Sequence, residues 1–339
     1  MKKSLIFTFK ALIMCFLTAT FLGCTGDPIE NKEKEKKDYA YQVANGAIIG
    51  YAAGWANAPS EAQLSMVTHV MVFQTYPTAD GGLTKNHLPK WSIADFVTLA
   101  HGKGVKVSIV LGGWDNKGAG TQAFASITAN PALRETFVNN VVNFADSLNL
   151  DGIDVDWEYP EGAAQWTNFI SLCEELKQAR PNLRISTALP GQDPNAYVNV
   201  VKTRIWKVLD AIHIMSYDMA YSWPTHSDAE RSKQLIDAWA NWGIGQENFD
   251  KRKLILGCAF YGYGVNDKGE SIQIAYNQGG GTGTDTPASL KQKVDHCYDN
   301  GYGGVMIWEL SQDRNISTTP ELLNAIYQAN NAKGGYTGK

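Results

Sequence analysis

The chain has 339 residues, 30 Lys and Arg against 34 Asp and Glu, and a formal net charge of −4. An acidic excess excludes nucleic acid as a partner, because a phosphate backbone needs a basic footprint. Five cysteines and six histidines in no ligand-like spacing give no disulfide framework and no metal site.

In chain order, Lys2, Lys3 and Lys10 precede an apolar run over residues 11–22 that closes on Gly23-Cys24. A basic start, a short apolar core and a small residue before the cut describe an export signal. The run is short for a membrane span. Phe21-Leu22-Gly23-Cys24 resembles a bacterial lipoprotein cleavage site. The resemblance implies a signal peptide over residues 1–23, a lipid on Cys24 and a membrane-anchored protein of the cell envelope; the alternative is a soluble secreted protein cut nearby. Residues 24–42 are polar and charged, without apolar periodicity, and read as a flexible tether. Removal of residues 1–23 takes away three Lys and no acid, leaving 27 basic against 34 acidic side chains, a net −7. Of the remaining cysteines, Cys173, Cys258 and Cys297 sit in apolar or helical surroundings. They leave room for one disulfide but fit buried small side chains better.

Residues 43–333 read as one domain in which strand and helix signals alternate eight times. Strands fall at 47–55, 67–75, 105–113, 151–158, 183–189, 211–219, 253–261 and 304–310. Helices fall at 60–66, 91–101, 131–148, 166–179, 196–209, 232–242, 287–300 and 320–329. Eight βα units without an internal linker predict an α/β fold of the closed (β/α)8 TIM-barrel type, with its chemistry at the C-terminal ends of the strands. A doubly wound open sheet is the runner-up, but it wants a Gly-rich phosphate loop after an early strand. Neither Gly112-Gly113 nor Gly279-Gly-Gly281 has that pattern in that place.

The fourth strand carries Asp151-Gly-Ile-Asp-Val-Asp-Trp-Glu-Tyr-Pro160. Asp154, Asp156 and Glu158 alternate with Ile153, Val155 and Trp157, so a period of two puts three carboxyls on one face and bulky apolar groups on the other. An edge strand with its acids in water is the plain alternative, and the flanking aliphatics fit it poorly. On a buried strand, desolvation and mutual repulsion push such carboxyls toward sharing protons and spread their pKa values. Acid–base chemistry near neutral pH uses that spread.

Asp-x-x-Asp-x-Asp-x-Glu followed by Tyr resembles the signature of glycoside hydrolase family 18, the chitinases and their relatives. Other strand ends carry the same resemblance, which spans roughly residues 47–313. Gly50-Tyr51 with Trp55 matches the first strand, His213-Ile-Met-Ser-Tyr-Asp218 the sixth, Phe260-Tyr261-Gly262 the seventh, and Ile307-Trp-Glu-Leu310 the eighth. The third strand ends Val110-Leu-Gly-Gly113 where the family has Ser-x-Gly-Gly, with Ser108 on the same face as a stand-in. About forty residues between Tyr261 and Gly304 predict that the α+β insertion of many relatives is absent.

The resemblance implies roles. Glu158 is the general acid, Asp156 holds the substrate's acetamido N–H, Asp154 sets the protonation of Asp156, and Tyr217 donates to the acetamido oxygen. Tyr51, Met215, Asp218 and Trp308 bind the sugar, with Trp308 as its floor. Asp151, of opposite strand parity, fixes the start of the strand, and Gly112 and Gly113 shape the end of the third. The implied partner is an oligosaccharide or polysaccharide of N-acetylglucosamine, cleaved by a monomer with retention, without cofactor or metal. An endo-β-N-acetylglucosaminidase acting on N-glycan cores and a non-catalytic sugar-binding barrel are the alternatives.

Overall fold

Strand β1 (Ala47–Ala53) is buried along its whole length, and its side chains divide by parity. Ile48 and Ala52 join a large outer cluster against the helices, whereas Ile49 and Tyr51 join a smaller inner one with Met71, Phe73, Val110 and Met306. A strand with apolar residues on both faces has to be covered on both, which is the condition a barrel meets. The computed structural model describes residues 44–196, 198–219 and 226–338. The expected signal peptide, the tether and Cys24 lie outside these residues.

Seven more strands complete the barrel: β2 (His69–Thr75), β3 (Lys106–Gly112), β4 (Gly152–Asp156), β5 (Arg184–Pro190), β6 (Ala211–Met215), β7 (Leu254–Ala259) and β10 (Gly304–Trp308). They run in parallel and close in the order β1-β10-β7-β6-β5-β4-β3-β2. Ile153, Val155 and Trp157 fall in the outer cluster, so Asp154 and Asp156 occupy the inner face. Trp157 stacks on Phe124 with centroids 5.4 Å apart.

The helices are α1 (Glu61–Leu64), α2 (Ile93–Gly102), α3 (Ala119–Ala129), α4 (Pro131–Ser147), α5 (Gly162–Ala179), α6 (Lys202–Val208), α7 (Ala229–Gly243), α8 (Pro287–Asn300) and α9 (Glu321–Ala332). Sequence reading missed α3, whose Ala, Gly, Ser and Thr residues blur an apolar stripe. Asn130 separates it from α4 by accepting from the amides of Ala132 and Leu133, with Pro131 in the first turn. The helix expected at 196–209 is α6 alone, preceded by 3-10 turns at Pro194–Ala196 and Asn199–Val201. Val198, Val200 and Val201 are β-branched and lower helix propensity there.

Between β7 and α8 the chain makes one antiparallel hairpin, β8 (Tyr261–Val265) and β9 (Ser271–Ala275), instead of an α+β insertion. Asn266 Oδ1 accepts from the amides of Lys268 and Glu270 and tightens its turn. The Gly-rich stretch lies against the hairpin: Thr282 bridges to Tyr263, and a Cβ on Gly281 would stand 2.4 Å from the Tyr263 amide nitrogen.

At the opposite end of the barrel, Asp151 accepts from the Val107 amide at 2.8 Å, from His101 Nε2 at 2.7 Å and from Lys106 Nζ at 3.0 Å. It ties β3 and α2 to the start of β4. Cys173, Cys258 and Cys297 are free thiols, all buried.

Candidate active site

The site grows from one row of strand partners. Val110 of β3 pairs with Asp154 of β4, and Asp154 pairs with Ser186 of β5. Asp154 is fully buried. Tyr51 donates to its Oδ2 at 2.7 Å and Ser186 to its Oδ1 at 2.5 Å. Ser108, the expected stand-in for a third-strand Ser, does not reach it. Its Oγ is buried without a partner and faces the place where a Cβ on Gly152 would stand, one row lower in the barrel. The missing hydroxyl comes from the strand on the other side. Burial outweighs the bonds from Ser186 and Tyr51 and the Arg184 charge, so the Asp154 carboxyl stays above its usual range.

Asp156 lies one inward step nearer the mouth. Its Oδ1 is buried and has no hydrogen-bond partner. Burial first, then Glu158 and Asp154, raise its pKa well above the carboxylate range. Glu158 stands two residues beyond the last residue of β4. Burial, with the charges of Asp218 and Asp115, raises it to about 7, against bonds from the Tyr159 hydroxyl and the Trp114 amide. The three carboxyls thus form a graded series. Asp154 receives two hydroxyl donors, Asp156 holds a proton most firmly, and Glu158 exchanges one near neutrality.

Gly112 and Gly113 bring β3 against this series. Their φ angles are +106° and +104°, and a Cβ on Gly112 would stand 2.2 Å from the Asp156 carbonyl oxygen.

Two residues past β6, Tyr217 is buried in the inner cluster, where Asp218, Asp156 and Glu158 all raise its pKa after burial does. It is therefore a neutral phenol within the field of both acids. Met215 packs at the rim of the same cluster. Asp218 takes a left-handed φ of +59° and accepts from Tyr261 at 2.5 Å and Tyr263 at 2.8 Å, with His226 Nδ1 at 3.3 Å. Burial works upward on Asp218, but His226, Tyr261 and Tyr263 outweigh it and keep the carboxylate ionised.

Trp308 ends β10 over Tyr51 and Phe73, with ring centroids 5.6 and 4.6 Å away, and Trp55 adds a ring at 6.2 Å. Trp55 is 69% exposed and Trp114 is 60% exposed. Large aromatic rings left in water beside a polar site are unusual outside binding surfaces. Sequence reading assigned no role to Ser186, Arg184, His213, His226, Tyr263 or Trp114. Trp114 was findable, since it directly follows Gly112-Gly113. Ser186, Arg184 and His213 depend on strand register, and His226 and Tyr263 on how a loop and a hairpin pack at the mouth. Among the described residues no cluster of His, Cys, Asp and Glu has metal-binding geometry.

Barrel, carboxyl series and mouth aromatics define the class, a (β/α)8 barrel with a polar site at the C-terminal ends of its strands. The family is defined as well. The model described as Glycosyl hydrolases family 18 matches residues 47–313, and the chain belongs to that family. A chitinase-like effector from Moniliophthora roreri is 30% identical over 258 residues, which cover 66% of this chain and 61% of that relative. The chain thus spans less than two thirds of that relative's length. The GH18 chitinase ChiB from the chitin utilization locus of Flavobacterium johnsoniae superposes with a TM-score of 0.70 at 22% identity, over 84% of this chain and 94% of that one. A class V chitinase from Nicotiana tobaccum in complex with NAG4 gives a TM-score of 0.70 at 20% identity, over 85% and 99%.

Proposed function

We propose that the protein hydrolyses β-1,4 bonds of chitin or chitooligosaccharides with retention, using the substrate's own 2-acetamido group as nucleophile. The observation that carries this reading is Asp156 Oδ1, a buried carboxyl oxygen without a partner beside an acid poised near 7. An unpaired buried polar atom costs about 1–3 kcal/mol. The N–H of a 2-acetamido group supplies the missing donor and turns its carbonyl oxygen toward the anomeric carbon.

In the proposed reaction Glu158 protonates the glycosidic oxygen as its bond to C1 breaks. The acetamido oxygen closes on C1 and forms an oxazolinium ion, so no enzyme carboxylate serves as nucleophile. Asp156 accepts the N–H and shares its proton with Glu158 once that acid has given its own to the glycosidic oxygen, so that the carboxylate left on the pair balances the positive charge; Asp154 sets the proton on Asp156, and Tyr217 donates to the acetamido oxygen. Asp218 binds a sugar hydroxyl, and Trp308 carries the ring. Water then opens the ion with Glu158 as base. The substrate's acetamido group, one water and residues of a single chain supply every step of this proposal.

Chitooligosaccharides assayed beside a high-mannose glycoprotein test the substrate. Release of short N-acetylglucosamine oligomers with the glycoprotein untouched is expected. Cleavage of the glycoprotein alone would favour the endo-β-N-acetylglucosaminidase reading. Tight binding of both without turnover would favour a sugar-binding role. We further propose that Cys24 carries a lipid that anchors the protein at the cell envelope. Cys24→Ala is expected to release it from the membrane fraction of a bacterial host, and an unlipidated parent protein would overturn the anchor.

A further inference from the structure

Asp218 is tied through one carboxylate oxygen. Tyr261 and Tyr263, two apart on β8, both donate to its Oδ1, at 2.5 and 2.8 Å. Its Oδ2 accepts from none of the described residues, and 45% of the side chain is exposed. One oxygen is therefore held and the other open. The backbone below is unusual as well, since Asp218 keeps a left-handed φ of +59°.

His226 holds that backbone. Its Nδ1 accepts from the Asp218 amide at 3.2 Å, and its Nε2 lies 2.9 Å from the Tyr261 carbonyl oxygen. A carbonyl only accepts, so Nε2 carries a hydrogen and donates it. The ring also packs on Tyr261 and Tyr263, with centroids 4.8 and 4.9 Å away. One imidazole thus joins the chain past β6 to the first residue of the β8–β9 hairpin. The hairpin itself is fixed at Tyr263, whose amide donates to the Thr282 carbonyl at 3.0 Å and whose carbonyl accepts from the Thr282 amide at 2.7 Å.

The next residue, Ser227, stands on a buried ion pair that the proposed reaction does not use. Lys293 of α8 and Asp285 meet at 2.8 Å with both side chains fully buried. Lys293 Nζ donates to Ser227 Oγ at 2.7 Å, and Ser227 donates to Asp285 Oδ2 at 2.8 Å. Asp285 also accepts from the Ala259 amide of β7 at 3.0 Å and from Ser289 of α8 at 2.7 Å. A buried ion pair is weak evidence for stability, because apolar replacements often serve as well; what it can add is a fixed arrangement.

We propose that His226 and Tyr263 are positioning residues for Asp218, and that the Lys293–Asp285 pair holds His226 in place through Ser227. Together they turn Asp218 Oδ2 toward the sugar as a preset acceptor for one hydroxyl. Tyr263 belongs to the hairpin that stands in place of an α+β insertion, so the hairpin completes the sugar site. The inference rests on the reading above, in which Asp218 binds the sugar.

Calorimetric binding of chitohexaose in a Glu158→Gln background tests it without turnover. Tyr263→Phe keeps the ring and loses the hydroxyl; it is expected to weaken binding at least about fivefold, part of what one bond to a charged group is worth. His226→Phe is expected to do the same, and Tyr263→Phe carries the test should that variant fail to fold. Lys293→Met combined with Asp285→Asn is expected to weaken binding about threefold or more with little change in thermal stability, because no unmatched charge is left behind. Each change is then repeated with Asp218→Ala, where it should alter binding less than about twofold, since no carboxylate remains to be placed. A parent that binds chitohexaose without cleaving it would sink the glycosidase reading and leave this test whole, whereas no binding at all would overturn both. Three further results overturn the inference: Tyr263→Phe binding as its parent does, the Lys293–Asp285 double variant binding as its parent does, or losses of equal size with and without the Asp218 carboxylate.

Discussion

The amide of Gly113 donates to the carbonyl of Asp156 at 2.6 Å, binding the end of β3 to the residue on which the carboxyl series turns. A Cβ on Gly113 would stand 2.4 Å from Phe73 Cζ, and one on Gly112 would stand 2.2 Å from the Asp156 oxygen. Both positions also need a positive φ.

Gly112→Ala is accordingly expected to destabilise the fold by roughly 3 kcal/mol, from backbone strain and overpacking together. It should lower turnover more than a hundredfold by displacing Asp156. Gly102→Ala is the control, since a Cβ there meets nothing within 4 Å. It should stabilise by about 0.5–1 kcal/mol. Thermal unfolding and initial rates on both variants check the pair. A Gly112→Ala enzyme as stable and active as its parent would show that the close approach is unimportant.

Glu158→Gln should abolish turnover and leave sugar binding largely intact. In the parent, activity should fall as pH rises through about 7, where the acid loses its proton. Stability carries the same signature. The folded-state pKa is raised from 4.5 to about 7, so inside that window the folded protein keeps a proton that the unfolded chain releases. Stability therefore falls with rising pH across the window. Above it the variant should exceed the parent by something on the order of 3 kcal/mol relative to their difference below it. Denaturant titrations at pH 4 and pH 8 measure this, and an equal difference at both would show that Glu158 titrates normally.

Trp55 and Trp114 offer exposed rings and little packing. Trp55→Ala and Trp114→Ala should each raise KM roughly two- to tenfold, as expected for loss of one stacking contact. kcat and thermal stability should change little. A loss of kcat with KM unchanged would place that ring in the chemistry instead.

Much of this was legible because the signals were local. The row Asp154, Asp156, Glu158 declares its face by a period of two, and Gly112-Gly113 marks a strand end with positive φ and close packing that only Gly can take. Eight alternating units led to the barrel without any long-range information. The rest depends on register. Ser186 meets Asp154 only because β4 and β5 pair at those residues, and nothing near Ser186 in sequence announces it. Val110 therefore read as a lost partner when the hydroxyl had moved to the opposite strand. Helix α3 and the β8–β9 hairpin were invisible for a different reason. The stripe of Ala123, Phe124 and Ile127 in α3 is short and set among small residues, Ile272 and Ile274 alternate over only five residues, and tertiary contact decides both.

Substrate assistance is tested most directly by initial rates on a chitooligosaccharide and on a β-1,4-glucan oligomer of the same length. The two differ at the 2-position alone, where the acetamido oxygen is held to act as nucleophile and Asp156 to receive the N–H. The chitooligosaccharide should be cleaved and the glucan slower by at least about a thousandfold, since a positioned intramolecular nucleophile is worth that much or more. Comparable rates on the two would contradict substrate assistance.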